Sequence, residues 1–120
     1  MALKRGDSIP RPNPWILRAA DLSAAKGWDA LVAQFLEAAD KAWVAVTKDP
    51  RHHDDRQHRL RGSLGTVTVD GRALEQWEHE VTSGSRLRYA IDDIERTLWI
   101  THAGVSHPKD TDTTRRRKRG

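Results

Sequence analysis

Between Leu74 and Ala103 the chain alternates apolar and polar residues in three stretches, near 74–81, 86–92 and 97–103. A period of two marks strands with one buried face, and the short breaks between them make consecutive hairpins. The breaks set the register. With Ser83-Gly84-Ser85 as a three-residue loop, Thr82 faces Arg86, so Val81 pairs with Leu87, His79 with Tyr89 and Trp77 with Ile91. A four-residue loop at 93–96 then pairs Ile91 with Leu98, Tyr89 with Ile100 and Leu87 with His102. A one-residue slip in either hairpin mixes the faces, so the alternation decides which residues turn inward. On this reading Leu87, Tyr89, Ile91, Leu98 and Ile100 are buried, and His102 is a structural histidine on the core face.

Upstream, "WILRAA" at 15–20 suits a short strand. Ser23 or Asp21 then offers a helix N-cap, and Pro50 a stop. Trp28, Leu31, Val32, Phe35, Leu36, Ala39, Trp43 and Val46 recur at helical spacing as one apolar stripe, uninterrupted by Gly or Pro. That pattern fits one long helix or a tight pair. Asp70-Gly71 suits the two-residue type I′ turn of a further hairpin. The expected fold class is α+β.

A chain of 120 residues suits one domain with a modest core. Residues 1–14 carry three prolines and no periodicity, and read as a flexible arm. No apolar run approaches the ~18 residues of a membrane span, and the N-terminus lacks the apolar region of a secretory signal. The absence of cysteine excludes disulfides and thiolate zinc sites and fits a reducing cytoplasm. His52, His53 and His58 beside Asp54 and Asp55 match no familiar metal spacing and read as an exposed linker.

Charge is unevenly placed. The chain has 21 basic and 17 acidic residues, and five of the basic ones are Arg115, Arg116, Arg117, Lys118 and Arg119. Without them the balance is 16 against 17, so the folded body is no general polyanion binder. The basic run is either a frayed, solvated terminus or a means of strengthening nucleic-acid binding through phosphate contacts.

The polar face of the three strands carries Glu78, Glu80, Arg86, Arg88, Trp99 and Thr101, with Glu80 opposite Arg88. Acids opposite arginines can be simple cross-strand ion pairs, each contributing a few tenths of a kcal/mol. The same residues also compose a phosphate platform. Arginines bind phosphate bidentately, a carboxylate or imidazole moves a proton, and Trp99 offers a stacking surface for a base. His107 and Lys109 follow the last strand closely enough to reach that site. Pro108 stiffens the setting of His107, because a residue before proline favours extended geometry.

Several motifs carry a family resemblance: "HRLRG" after the helices, "GSRLRYAIDD" followed by "RTLWITHAG", "GRALEQWEHEVTSGSR", and the terminal "SHPKDTD". In order and spacing the chain resembles the RelE/ParE superfamily, the toxin halves of type II toxin–antitoxin pairs, and particularly a RelE-type branch common in actinobacteria. The resemblance covers 15–112, leaving 1–14 as the arm and 113–120 as a basic flexible tail. It implies an N-terminal strand and helical hairpin packed on a curved, mostly antiparallel sheet. It also implies a cytoplasmic toxin that is neutralised by a cognate antitoxin and has neither membrane association nor cofactor. RNase members cut mRNA in the ribosomal A site without metal: the 2′-hydroxyl attacks the neighbouring phosphate and leaves a 2′,3′-cyclic phosphate.

Carried over, Arg86 matches the hairpin arginine that stabilises the phosphate, and Arg59 and Arg61 are the basic residues of the Lys/Arg-Leu-Lys/Arg-Gly element. His107 and Lys109 fall near the family's C-terminal catalytic group. The polar face and the resemblance together give Arg86, His107 and Glu80 as catalytic candidates, with Arg61, Arg59, Arg88, Lys109 and Trp99 as candidates for holding RNA on the ribosome. Two departures stand. Where some RNase members carry two lysines this chain reads Trp77-Glu78-His79-Glu80, and the C-terminal tyrosine of several members is absent. The ParE branch shares the fold but targets DNA gyrase, and a non-toxic RNA- or partner-binding member is a third alternative.

Overall fold

The computed structural model describes residues 2–104. Its hairpins form where the turn residues allow them. β3 (Thr66–Val69) and β4 (Arg72–Thr82) pair antiparallel across Asp70 and Gly71, whose φ angles of 49° and 78° are the left-handed pair that a type I′ turn needs. β5 (Ser85–Asp92) and β6 (Thr97–Gly104) continue the meander. β1 (Ile16–Ala19) joins β6 in parallel, and β2 (Gln57–Arg59) joins β4 antiparallel. The result is an α+β fold with a mixed six-stranded sheet ordered β1-β6-β5-β4-β2, and β3 also on β4.

The register departs from expectation at two bulges. The β4–β5 turn is Ser83-Gly84 alone, because Thr82 pairs with Ser85, and a bulge at Val81 absorbs the difference. Trp77 therefore faces Tyr89, His79 faces Leu87, and Glu80 faces Arg86; Arg88 faces Glu78, not Glu80. A shift of two residues preserves every side chain's face, so the inward set survives. The second bulge adds Thr101 opposite the Arg88–Tyr89 step. Up to Ile100 the pairs are those expected, but Leu87 then meets Ala103 and Arg88 meets His102. His102 thereby crosses to the polar face, and Ala103 takes the core position.

Two helices cover the core face. Asp21 caps α1 (Leu22–Gln34), its Oδ1 accepting from the Ala24 N–H at 2.8 Å. Phe35, at φ −137° and ψ 61°, is non-helical and separates α1 from α2 (Leu36–Lys48). The break shifts the apolar stripe out of phase. Leu31, Ala39 and Val46 are buried as expected, but Leu36 and Trp43 point outward at 66% and 42% exposure, and Phe35 is exposed too. Ala24 and Ala42 fill the inner positions instead, with Trp28 packed against the rim, its ring centroid 6.0 Å from that of Trp43. α1 packs on β6 and α2 on β4.

Leu87, Tyr89, Ile91, Leu98 and Ile100 are all fully or nearly buried. Beside them Gln57 organises a polar strut. Its Nε2 donates to the Asp49 and His52 carbonyls at 2.9 and 3.0 Å, so its Oε1 must accept from His79 Nδ1 at 2.8 Å. His79 thus carries a proton on Nδ1. Burial first, and Arg56 next, lower its pKa. No helix among the described residues is long and apolar enough to cross a membrane.

Candidate functional site

The polar face of β4–β5–β6 is a charge ladder. Alternation in β4 turns Glu78 and Glu80 to this side, and alternation in β5 turns Arg86 and Arg88 to meet them. Arg88 Nε donates to Glu78 Oε2 at 2.9 Å. Glu78 also approaches Arg86, with Oε1 3.8 Å from Nε, while Glu80 Oε1 lies 3.6 Å from Arg86 Nη2. Glu78, which sequence reasoning placed on the face without a role, is the carboxylate shared by both arginines. The face is less solvated than expected: the Arg88 side chain is only 7% exposed and that of Arg86 15%.

Arg86 is further fixed by its own hairpin, Nη1 donating to the Thr82, Ser83 and Ser85 carbonyls at 2.9, 3.2 and 3.2 Å. Its longer contacts to Glu80 and Glu78 lie beyond hydrogen-bond range. Across the ladder stands Gly104, the last residue of β6, which places no side chain beside the guanidinium. β6 is described up to Gly104, beside Arg86. His107 and Lys109 lie outside the described residues, three and five positions on from that point.

Arg61 is exposed and lines a cleft of about 450 Å³ with His53, His58, Leu64 and Glu78. His58 pairs with Glu78, so this cleft adjoins the ladder. Arg59 is placed differently from expectation. Its partner is Trp77 on the core face, and its guanidinium donates to the Gly65 carbonyl at 3.2 and 3.0 Å and lies 3.8 Å from Glu75. It holds the 3-10 turn at Gly62–Gly65.

Trp99 is on the polar face but away from Arg86. It stands opposite Ala90, four residues along β5, or about 13 Å at ~3.3 Å per residue. There its Nε1 donates to Asp92 Oδ2 at 3.2 Å. Asp92, 1% exposed, is held by Arg72, whose Nη1 donates to Oδ1 at 3.1 Å. The Arg72 hydrogen bonds, then the Glu95 N–H and Trp99, keep the Asp92 pKa at about 2. Gln76 and Thr101 hydrogen-bond between the two ends, with Gln76 Nε2 donating to Leu64 O at 2.8 Å.

The arrangement sets Arg86 and Arg88, cations of the kind that pair with anions, beside Glu78, Glu80 and His102, side chains of the acid–base type. Sequence reasoning missed His102 and Glu78 for one reason: bulges leave no trace in an alternating pattern. Comparison with family models, with curated proteins and with solved structures returned no match.

Proposed function

We propose that the protein is a RelE-like toxin, a ribosome-dependent endonuclease that cuts mRNA without metal and is neutralised by a cognate antitoxin. The observation that carries this reading is Arg86. It sits on the polar face between Glu78 and Glu80, opposite Gly104, and His107 and Lys109 follow that glycine by three and five positions in the sequence. The order of elements supports it too: a strand, a helical pair and an antiparallel meander follow one another as the resemblance implies.

In this mechanism Arg86 binds the scissile phosphate and stabilises the charge that builds on it. Removing one such donor costs about a hundredfold or more in rate. His107 moves the proton, since an imidazole is the side chain suited to acid–base work near neutral pH, with Glu80 as the alternative base. Arg61 and Lys109 hold flanking phosphates.

A specific observation favours a second reading. Arg86 already donates to three backbone carbonyls and Arg88 to Glu78, as in a surface built for packing. Such a surface suits a non-enzymatic, ParE-like toxin bound to a protein target such as DNA gyrase. Induction in cells separates the two. On the endonuclease reading Arg86→Ala and His107→Ala each relieve toxicity while both proteins stay folded by circular dichroism. Full toxicity of both variants, together with loss of gyrase supercoiling, selects the protein-target reading.

A further inference from the structure

Far from the charge ladder, the arm, the end of α2 and the β5–β6 turn enclose a pocket of about 200 Å³. Three of its lining residues are cations, Arg11, Lys48 and Arg96, and none is acidic. Arg96 is held in place. Its guanidinium carbon sits 4.0 Å from the Trp15 ring centroid, and Nη2 donates to Asn13 O at 3.0 Å. Its buried Nε has no acceptor among the described residues. Among the described residues Arg11 and Lys48 make no ion pair or side-chain hydrogen bond there either.

Asp93 interacts electrostatically with Arg96, but Arg51 already grips its carboxylate bidentately at 3.0 and 2.8 Å. Thr47, on the pocket wall, spends its hydroxyl proton on the Trp43 carbonyl at 2.8 Å. Convergent cations with no carboxylate among the lining residues repel one another. An anion stabilises them together, and a guanidinium fixed in orientation presents paired donors that match the oxygens of a phosphate.

We propose that this pocket is a phosphate-binding site, with Arg96 as the oriented donor and Arg11 and Lys48 as flanking charges. The site is independent of Arg86: Arg96 lies in the turn at the opposite end of β5. The phosphate comes either from the backbone of single-stranded RNA or from a free phosphate, and the chemistry of the site is the same for both.

The test uses the full chain with its tail, read locally by NMR at the Trp15 indole and Arg96 Nε–H signals. Inorganic phosphate, with chloride at matched ionic strength as the control, and a single-stranded oligoribonucleotide are titrated in turn. The expected result is a saturable shift of both signals with phosphate and none with chloride. A tighter, length-dependent response to the oligonucleotide assigns the site to RNA backbone, and equal response assigns it to free phosphate. The double variant Arg11→Gln, Lys48→Gln should lose the shift. If RNA is the ligand, its salt slope should fall by about 0.7 per contact removed. Unmoved Trp15 and Arg96 signals with both ligands, or shifts that persist in the double variant, overturn the proposal.

Discussion

Tyr89 is the chain's one tyrosine, and none of it reaches solvent. Its hydroxyl donates to the Pro50 carbonyl at 2.7 Å, tying the linker after α2 to the sheet. Burial raises the phenol's pKa well above its ordinary 10.0. The neutral form is therefore favoured by folding. Its contribution is complete below pH 10 and is lost as pH rises from there toward the folded value. Alkaline titration should show no phenolate absorbance until the protein unfolds. Tyr89→Phe should destabilise by about 1–3 kcal/mol in urea, because the Pro50 carbonyl loses its donor. Asp92 works in the opposite direction. Its carboxyl is lowered from 3.8 to about 2, so its contribution is present above pH 3.8 and is lost as pH falls through about 2. Urea midpoints measured across that window should drop for the native chain and be flatter for Asp92→Asn.

At the scale of elements, Gly27 decides how closely α1 approaches β6. A Cβ built there meets the Ala103 carbonyl oxygen at 1.9 Å, which backbone on both sides prevents from yielding. Gly27→Ala should force the helix off the sheet and cost about 3 kcal/mol, read as a lowered thermal midpoint. Much of this level was legible beforehand. The Asp70-Gly71 turn, Asp21 as one of two cap candidates, the other strand stretches and the inward set around Tyr89 follow from local spacing and turn chemistry. By contrast, β2 (Gln57–Arg59) lies in the stretch read as an exposed linker, and the parallel pairing of β1 with β6 left no local signal. The pairing of Arg88 was not legible, since loops of two or three residues give the same faces once Val81 bulges. The bulge at Thr101 hid His102, and the single non-helical residue Phe35 hid the turning of Trp43 outward. In the candidate site, Arg86, Arg88, Glu78 and Glu80 were rightly assigned to one face. Arg59 and Trp99 were drawn away from Arg86 by partners distant in sequence, the Gly65 carbonyl and Asp92.

Over the whole molecule, charge is divided between a nearly balanced body and five basic residues at 115–119. That tail lies outside the described residues, and its expected disorder and role rest on its composition. Deleting 115–119 should weaken ribosome association, most visibly at low salt, as measured by sedimentation over a salt titration. On the proposed reading the body presents Arg86 to RNA on the polar face, and cleavage chemistry tests that most directly. Purified protein is mixed with programmed ribosomes in the presence of a metal chelator, and the mRNA ends are analysed. The native chain should cut and leave 2′,3′-cyclic phosphates, and Arg86→Ala, compared at equal folded concentration, should cut about a hundredfold more slowly or worse. Intact mRNA with the native protein, or cleavage by Arg86→Ala at the native rate, would contradict the assignment of that face to RNA cleavage.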